Sequence, residues 1–334
     1  MTPPTREELE AAFCWEADDG IPGRPAMSAF RRQARYQQAR WREAHGHPIG
    51  TQPMAPKPGD TRVRPVGSRL PLDYARDSGA NFLTAAALDA ARTRTSFIEP
   101  RQSIDHQRLW ADLLSSAALS FNLFGDLAAD LALADRAVHG WFPDAPGRVS
   151  EVRFAHSPGW FDPAYLNSLR SFATMFVLDL DDGSRGLIGV EVMYHERNKP
   201  ETPRLDNLAR YGEVAARSDV FAPGAIDTLK QRGDLCVMWI EHLLLFSMLQ
   251  HPSDGWTWGR YVVVHPAGNS DLVDACARYR ALLADDATFA TTTLEHLLST
   301  IPLPGSTVTA LRDRYLSDER RWARPGAVRL RRWG

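Results

Sequence analysis

The sequence predicts an α/β protein: a short mixed β-sheet flanked by helices, with a helical N-terminal arm and a helical C-terminal half. Three observations carry this. Apolar residues recur at helical spacing between residues 105 and 139. The period then changes: residues 149–154 make a short strand candidate, and residues 174–180 and 187–194 are apolar runs rich in β-branched and aromatic side chains. Helical patterns resume after them, interrupted by one further apolar run from Arg260 to His265.

Taken in order, Thr5 to Phe13 forms a short helix, and Met27 to Glu43 a basic one carrying Phe30, Tyr36 and Trp41. Its Arg31, Arg32, Arg35, Arg40 and Arg42 make either a solvated face or a phosphate contact. His47 to Pro71 is rich in Pro and Gly without periodicity, and reads as extended chain draped over the body. A helix covers Asn81 to Arg94. A second helical region, Asp105 to His139, is punctuated at Gly125. Val149 to Phe154 is a strand. Thr174 to Leu180 and Leu187 to Tyr194 flank a turn-forming run at residues 181–186, which makes them a hairpin. Helices at Leu205 to Ala216 and Leu235 to Leu249, the strand at Arg260 to His265, a helix at Ser270 to Leu283 and helical pieces to Trp322 complete the order. These patterns divide the chain into an arm and connector (1–75), a main domain (76–322) and a basic tail (323–334).

The 334 residues are 44% hydrophobic and 24% charged, enough for a sizeable core. With 39 basic against 41 acidic residues, the whole-chain charge of -2 gives no general attraction to nucleic acid. Lysine occurs only at Lys57, Lys199 and Lys230, so a lysine-dependent site has three candidates. Cys14, Cys236 and Cys276 are too few and too far apart for a disulfide framework or a zinc knuckle. The polar start from Met1 to Phe13 holds no apolar leader core, and no stretch offers 18 uninterrupted apolar residues; a cytoplasmic location is expected.

The hairpin carries the chemistry. Glu191 sits inside an apolar strand, and a buried carboxylate must be paired, metal-bound or protonated. Metal-dependent nucleases place such a Glu on a strand with a Lys two residues on, both on one face by period-2 alternation, and an Asp on the partner strand. One alternative is that Glu191 is simply salt-bridged to an arginine. The expected register sets Asp181 opposite Gly186, Thr174 opposite Met193 and Phe176 opposite Glu191. Asp179 then lies on the other face and three residue pairs nearer the turn, too far to share an ion. Neither a Walker loop nor a Gly-x-Ser-x-Gly elbow is present. Glu241-His242 lies on a helix read as amphipathic, and lacks the second His of a metalloprotease. His156 and His195 flank the site as hydrogen-bonding structural residues.

Gly67-Ser-Arg-Leu-Pro71, Gly79-Ala-Asn-Phe-Leu-Thr84, Leu113-Leu-Ser-Ser116, Phe121-Asn-Leu-Phe-Gly125, His156-Ser-Pro-Gly159, Ile188-Gly-Val-Glu-Val192 with Tyr194-His-Glu196, and Thr293-Leu-Glu295 follow in an order that resembles a bacterial family of restriction-endonuclease-like proteins in the PD-(D/E)xK superfamily. The likeness extends over most of residues 65 to 316. It implies a restriction-endonuclease-like core, a Mg2+ or Mn2+ ion at Glu191, DNA as substrate, and a homodimer or a protein partner.

The departures narrow the reading. Where the family has Lys, this chain has Met193; where it has Asp opening the hairpin, Thr174 stands after Arg170-Ser171. Ala155, Trp160 and Leu169 stand at further positions expected to be charged. The resemblance therefore implies a DNA-acting protein with weak or absent hydrolysis and a degraded site at Glu191, Thr174 and Met193. Two alternatives stand beside it: an active endonuclease with a migrated site using Lys199, and a non-enzymatic scaffold of a defence system. Trp256, Trp258, Trp322, Trp333 and the stretch Arg329 to Arg332 suit a partner or phosphate contact as well as they suit packing.

Overall fold

The computed structural model describes residues 3–21, 28–54, 62–99, 101–102, 104–196 and 201–316. Helix α1 (Arg6–Ala11) opens with a capping box in which the Thr5 hydroxyl accepts from the Glu8 amide and the Glu8 carboxylate accepts from the Thr5 amide. Helix α2 (Ala29–Ala44) follows, capped by Ser28. The connector is not structureless. Strands β1 (Gly50–Pro53) and β2 (Val63–Val66) form a small antiparallel ribbon. Its short, half-exposed strands left no alternation to detect. Gly67, just after it, passes so close to α1 that a Cβ would lie 1.9 Å from the Ala12 carbonyl oxygen.

Helices α3 (Leu72–Ser78) and α4 (Ala85–Ser96) lead through a wide turn at Gln107–Ala111 to α5 (Ser116–Ala129) and α6 (Leu131–Trp141). The break between α5 and α6 falls at Asp130, whose carboxylate accepts from the Leu133 amide and starts the next helix. Gly125 does not punctuate anything. It lies inside α5 where α4 crosses, and a Cβ there would stand 2.5 Å from the Ala87 Cα.

The main sheet contains β3 (Arg148–His156), β4 (Phe172–Asp179), β5 (Arg185–Val192), β6 (Trp256–His265) and β7 (Phe289–Thr293), side by side in that order. The first three form an antiparallel meander; β5, β6 and β7 run parallel. Parallel neighbours need crossovers. Helices α7 (Leu208–Ser218), α8 (Ala225–Gln231) and α9 (Cys236–Leu249) make the first, and α10 (Ser270–Arg280) the second. Helices α11 (Leu294–Thr300) and α12 (Gly305–Tyr315) close the described chain. Strand β7 falls where only helical pieces were expected, since five residues of Phe-Ala-Thr-Thr-Thr are too short to show a period.

Each sheet face has its own core. Phe176, Leu178, Ile188, Val190 and Val192 pack with α5 and its neighbours. Met175, Val177, Leu187, Tyr261 and Val263 pack on the other face with α9. Helix α9 is not amphipathic as expected; nearly every residue from Cys236 to Met248 is buried, because α7, α8 and the sheet enclose it. Among the described residues no single helix is long and apolar enough to cross a membrane.

The basic helix α2 faces inward more than outward. Arg35 is buried against Asp19, and Arg42 donates to the carbonyls of Gly67 and His47. Gln37 and Gln38 donate to the Arg314 carbonyl, and the Arg314 guanidinium donates back to Gln38 and to Asn81. These bonds tie α2 to α12.

Candidate functional site

The hairpin register decides which side chains meet. Asp179 pairs with Arg185, Phe176 with Ile188 and Thr174 with Val190. The expected register was therefore three residues out. The turn is tighter than predicted: the Leu180 amide donates to the Ser184 carbonyl, and Gly183 takes φ +81° inside the loop. Strand pairing thus restarts at Ser184 rather than at Gly186.

An odd shift exchanges faces. Thr174 now sits with Phe176 and Val190 on the α5 side, fully buried, and its Oγ1 has no hydrogen-bond partner. Glu191 points to the α9 side, so Thr174 and Glu191 do not share a face. Asp179 does share the Glu191 face, contrary to expectation, but lies six residues from it along β5, about 20 Å. Its carboxylate accepts from Ser150. Met193 follows the strand on the Glu191 face, donates its amide to Val264 and packs into the α9-side core.

Glu191 lines a cavity of about 340 Å3 at the end of the sheet. Ala155, Trp160 and Leu169, the three further positions where charge was expected, line the same cavity, as does Ala173. The β4–β5 ladder ends at Thr174 and Val190, and Ala173 and Glu191, the next residues beyond it, line this cavity together. Those four lining positions offer neither acid nor amine, although Asp105, Glu241, Arg94, Arg108 and Arg170 line the same cavity.

Two other acids crowd Glu191. Glu241, from the middle of α9, is buried; it accepts from the Tyr261 hydroxyl at 2.8 Å and lies 3.7 Å from Arg170. Glu196 accepts from Ser116 at 2.6 Å, from the Tyr194 amide at 2.8 Å and from Arg108 at 2.7 Å. The Glu191 carboxyl makes no hydrogen bond or ion pair among the described residues. Burial, then the neighbouring Glu241 and Glu196 charges, hold its carboxyl well above the usual range, against the pull of Arg170 and Arg108. Glu241 is pushed up to about 7, chiefly by burial, although Arg170 and the Tyr261 hydrogen bond oppose the shift. Glu196 goes the other way: His195, the Ser116 hydrogen bond and Arg108 outweigh its burial and lower it.

Among the described residues the arginines of the cavity are paired. Arg94 lies 3.6 Å from Glu99, Arg108 holds Glu196, and Arg170 bridges Glu241 and Glu201. His156 is kept neutral, lowered to about 4 by burial and then by Arg153. His195 lies 3.8 Å from Glu196, and its buried Nδ1 has no hydrogen-bond partner.

The donor set does not fit the divalent ion that the resemblance implies. Such an ion takes oxygen ligands, several of them carboxylates. The Thr174 hydroxyl is on the wrong face, Met193 offers a thioether, and Glu241 is already engaged by Tyr261 and Arg170. Among the described residues no group of three or more His, Cys, Asp or Glu side chains is arranged to hold a metal. Lys199 and Lys57 lie outside the described residues, as do Trp322, Trp333 and the stretch Arg329 to Arg332. Of Trp256 and Trp258, the first is buried and stacks under Arg185, and the second packs against the core.

Glu241 and Arg170 were missed as site residues. The signal for Glu241 was available, since an acid amid the apolar run from Cys236 to Leu249 is as costly as one in an apolar strand. Taking that helix as amphipathic gave the carboxylate a solvent face that it does not have.

No curated protein and no solved structure matches the chain. A family model described as the PD-(D/E)XK nuclease superfamily matches residues 25–317, from just before α2 to just after α12, and so takes in both sheet cores and the Glu191 cavity. With the mixed sheet and the Glu191 hairpin at its centre, the chain belongs to the PD-(D/E)XK nuclease superfamily.

Proposed function

We propose that the protein acts on or near DNA with a degraded nuclease site that hydrolyses weakly or not at all. One observation carries the reading: Ala155, Trp160, Leu169 and Ala173 line the Glu191 cavity and offer neither acid nor amine, while its Glu241 and its arginines are engaged with other partners. Within this proposal Met193 occupies the lost Lys position, and Ala173, rather than Thr174, the lost Asp position. A carboxyl whose proton is favoured by burial and by two neighbouring acids fixes a cation less readily. Removing one preorganised electrostatic donor costs about 3 to 4 kcal/mol of transition-state stabilisation, and two are missing, although coupled groups need not add.

Purified protein with Mg2+ or Mn2+ is expected to leave plasmid and linear DNA intact. Robust cleavage that Glu191→Ala abolishes overturns the reading. The converse experiment restores the site: Ala173→Asp with Met193→Lys is expected to raise Mn2+ affinity, measured by calorimetry, above that of the parent.

A second reading, an active endonuclease with a migrated site, draws support from Glu196 and Glu201. Both engage arginines of the cavity, and both flank the segment that contains Lys199. It requires Lys199→Ala to abolish cleavage. A third, a scaffold that keeps the fold for shape, draws support from the pairing of every cavity arginine with a carboxylate. It requires one specific protein partner in a pull-down and no salt-sensitive DNA binding.

A further inference from the structure

Strand β3 ends the sheet, and among the described residues no strand lies beside its outer edge. The direction of its backbone groups follows from the ladder. Arg185 and Met193 donate their amides toward β6, to Gly255 and Val264. Alternation across β5 and β4 then turns Val152 and Phe154 of β3 away from β4. In agreement, the Phe154 carbonyl accepts from Arg94 Nε at 2.8 Å.

Both ends of this edge are stopped by side chains. Asp135 accepts from the Val149 amide at 2.9 Å, and Arg94 caps the carbonyls of Phe154 and Ala155 at 2.8 and 3.1 Å. Val152 lies between the caps with its amide and carbonyl turned outward. Alongside runs a cavity of about 630 Å3 between β3 and helices α4 and α5, kept open by the small side chains of Ala86, Ala90, Ala128 and Ala129. Capping and covering blunt a sheet edge, which leaves the stretch at Val152 as the part of this edge open to pairing.

We propose that this edge docks a second copy of the chain, β3 pairing antiparallel with β3 about a two-fold axis through Val152. The charges select the register. Glu151 and Arg153 flank Val152 on one sheet face and contact each other at 2.6 Å. With the axis at Val152, Glu151 faces the second copy's Arg153, and Arg153 its Glu151. An axis at residue 151 would set Glu against Glu, and one at residue 153 Arg against Arg; like charges directly opposite destabilise a pair. The surface is self-complementary, as an isologous interface must be. This inference is independent of whether the Glu191 site cuts DNA.

Sedimentation equilibrium of the full chain tests it. The wild type is expected to be dimeric at micromolar concentration. Glu151→Arg and Arg153→Glu, each alone, are expected to weaken the dimer at least about tenfold, while the double exchange restores it. Thermal melts identify any single variant that fails to fold. Val152→Pro then gives the same readout, because it removes only the outward amide and leaves the ladder to β4 intact. A wild type that stays monomeric, or a dimer indifferent to all of these variants, overturns the proposal. Dimerisation with an extended segment of another protein in place of the second copy overturns it equally.

Discussion

At the scale of single residues, Glu191 and Glu241 make stability depend on pH in a defined direction. A carboxyl raised in the folded state binds its proton more tightly folded than unfolded. Its contribution is complete below the unfolded pKa and is lost as pH rises through the folded one. With Glu241 raised from 4.5 to about 7 and Glu191 raised beside it, stability is expected to fall between about pH 4.5 and 7. Glu191→Gln removes one of the two charges and is expected to flatten that slope and raise Tm at pH 8; melts across the range check it. Unchanged slopes would mean that the two carboxyls do not sense each other. Glu191 was legible because an acid in a β-rich apolar run stands out by composition alone. Glu241 was not, because a helical period can hide one charge on a supposed outer face, and only the surrounding helices show that no outer face exists.

Among elements, the hairpin illustrates how a correct pair of strands can carry an incorrect register. Both strands were placed to within about two residues, yet the turn was taken as six residues and closes at Leu180 and Ser184. That difference of three residues moved Thr174 out of the site and brought Ala173 to its wall. Local sequence cannot resolve it, since Asp181, Asp182, Gly183 and Ser184 all favour turns and several closures satisfy them. Gly125 is a related case, a glycine serving helix crossing rather than helix ending. Gly125→Ala would drive a methyl group into the Ala87 backbone and is expected to cost about 1 to 3 kcal/mol in urea unfolding. A neutral substitution would show that α4 can shift outward.

For the whole molecule, Arg314 is the joint between α2 and the body. Its guanidinium is fully buried, donates to Gln38, Asn81 and the Leu113 carbonyl, and lies over the Trp41 ring at 4.5 Å, with no carboxylate partner among the described residues. Arg314→Leu strands several acceptors at once and is expected to destabilise by about 3 kcal/mol. Arg314→Lys, which lacks the planar fork, is expected to rescue little. Separate melting of residues 28–54 would show that the joint matters less than its burial suggests. The sequence foretold the α/β class, since the switch from helical to strand period is a property of long segments. This joint was not foreseeable, because its members lie far apart in the chain and an arginine near the C-terminus reads as solvated.

The split topology of the sheet also sets a timetable. Strands β3, β4 and β5 are chain neighbours and can zip together as soon as they leave the ribosome, whereas the far side of β5 must wait for all of residues 193–255 before β6 arrives. During that interval the strand bearing Glu191 shows water a bare row of amides and carbonyls beside Leu187 and Val190, the kind of surface that chaperones grip and that aggregates recruit.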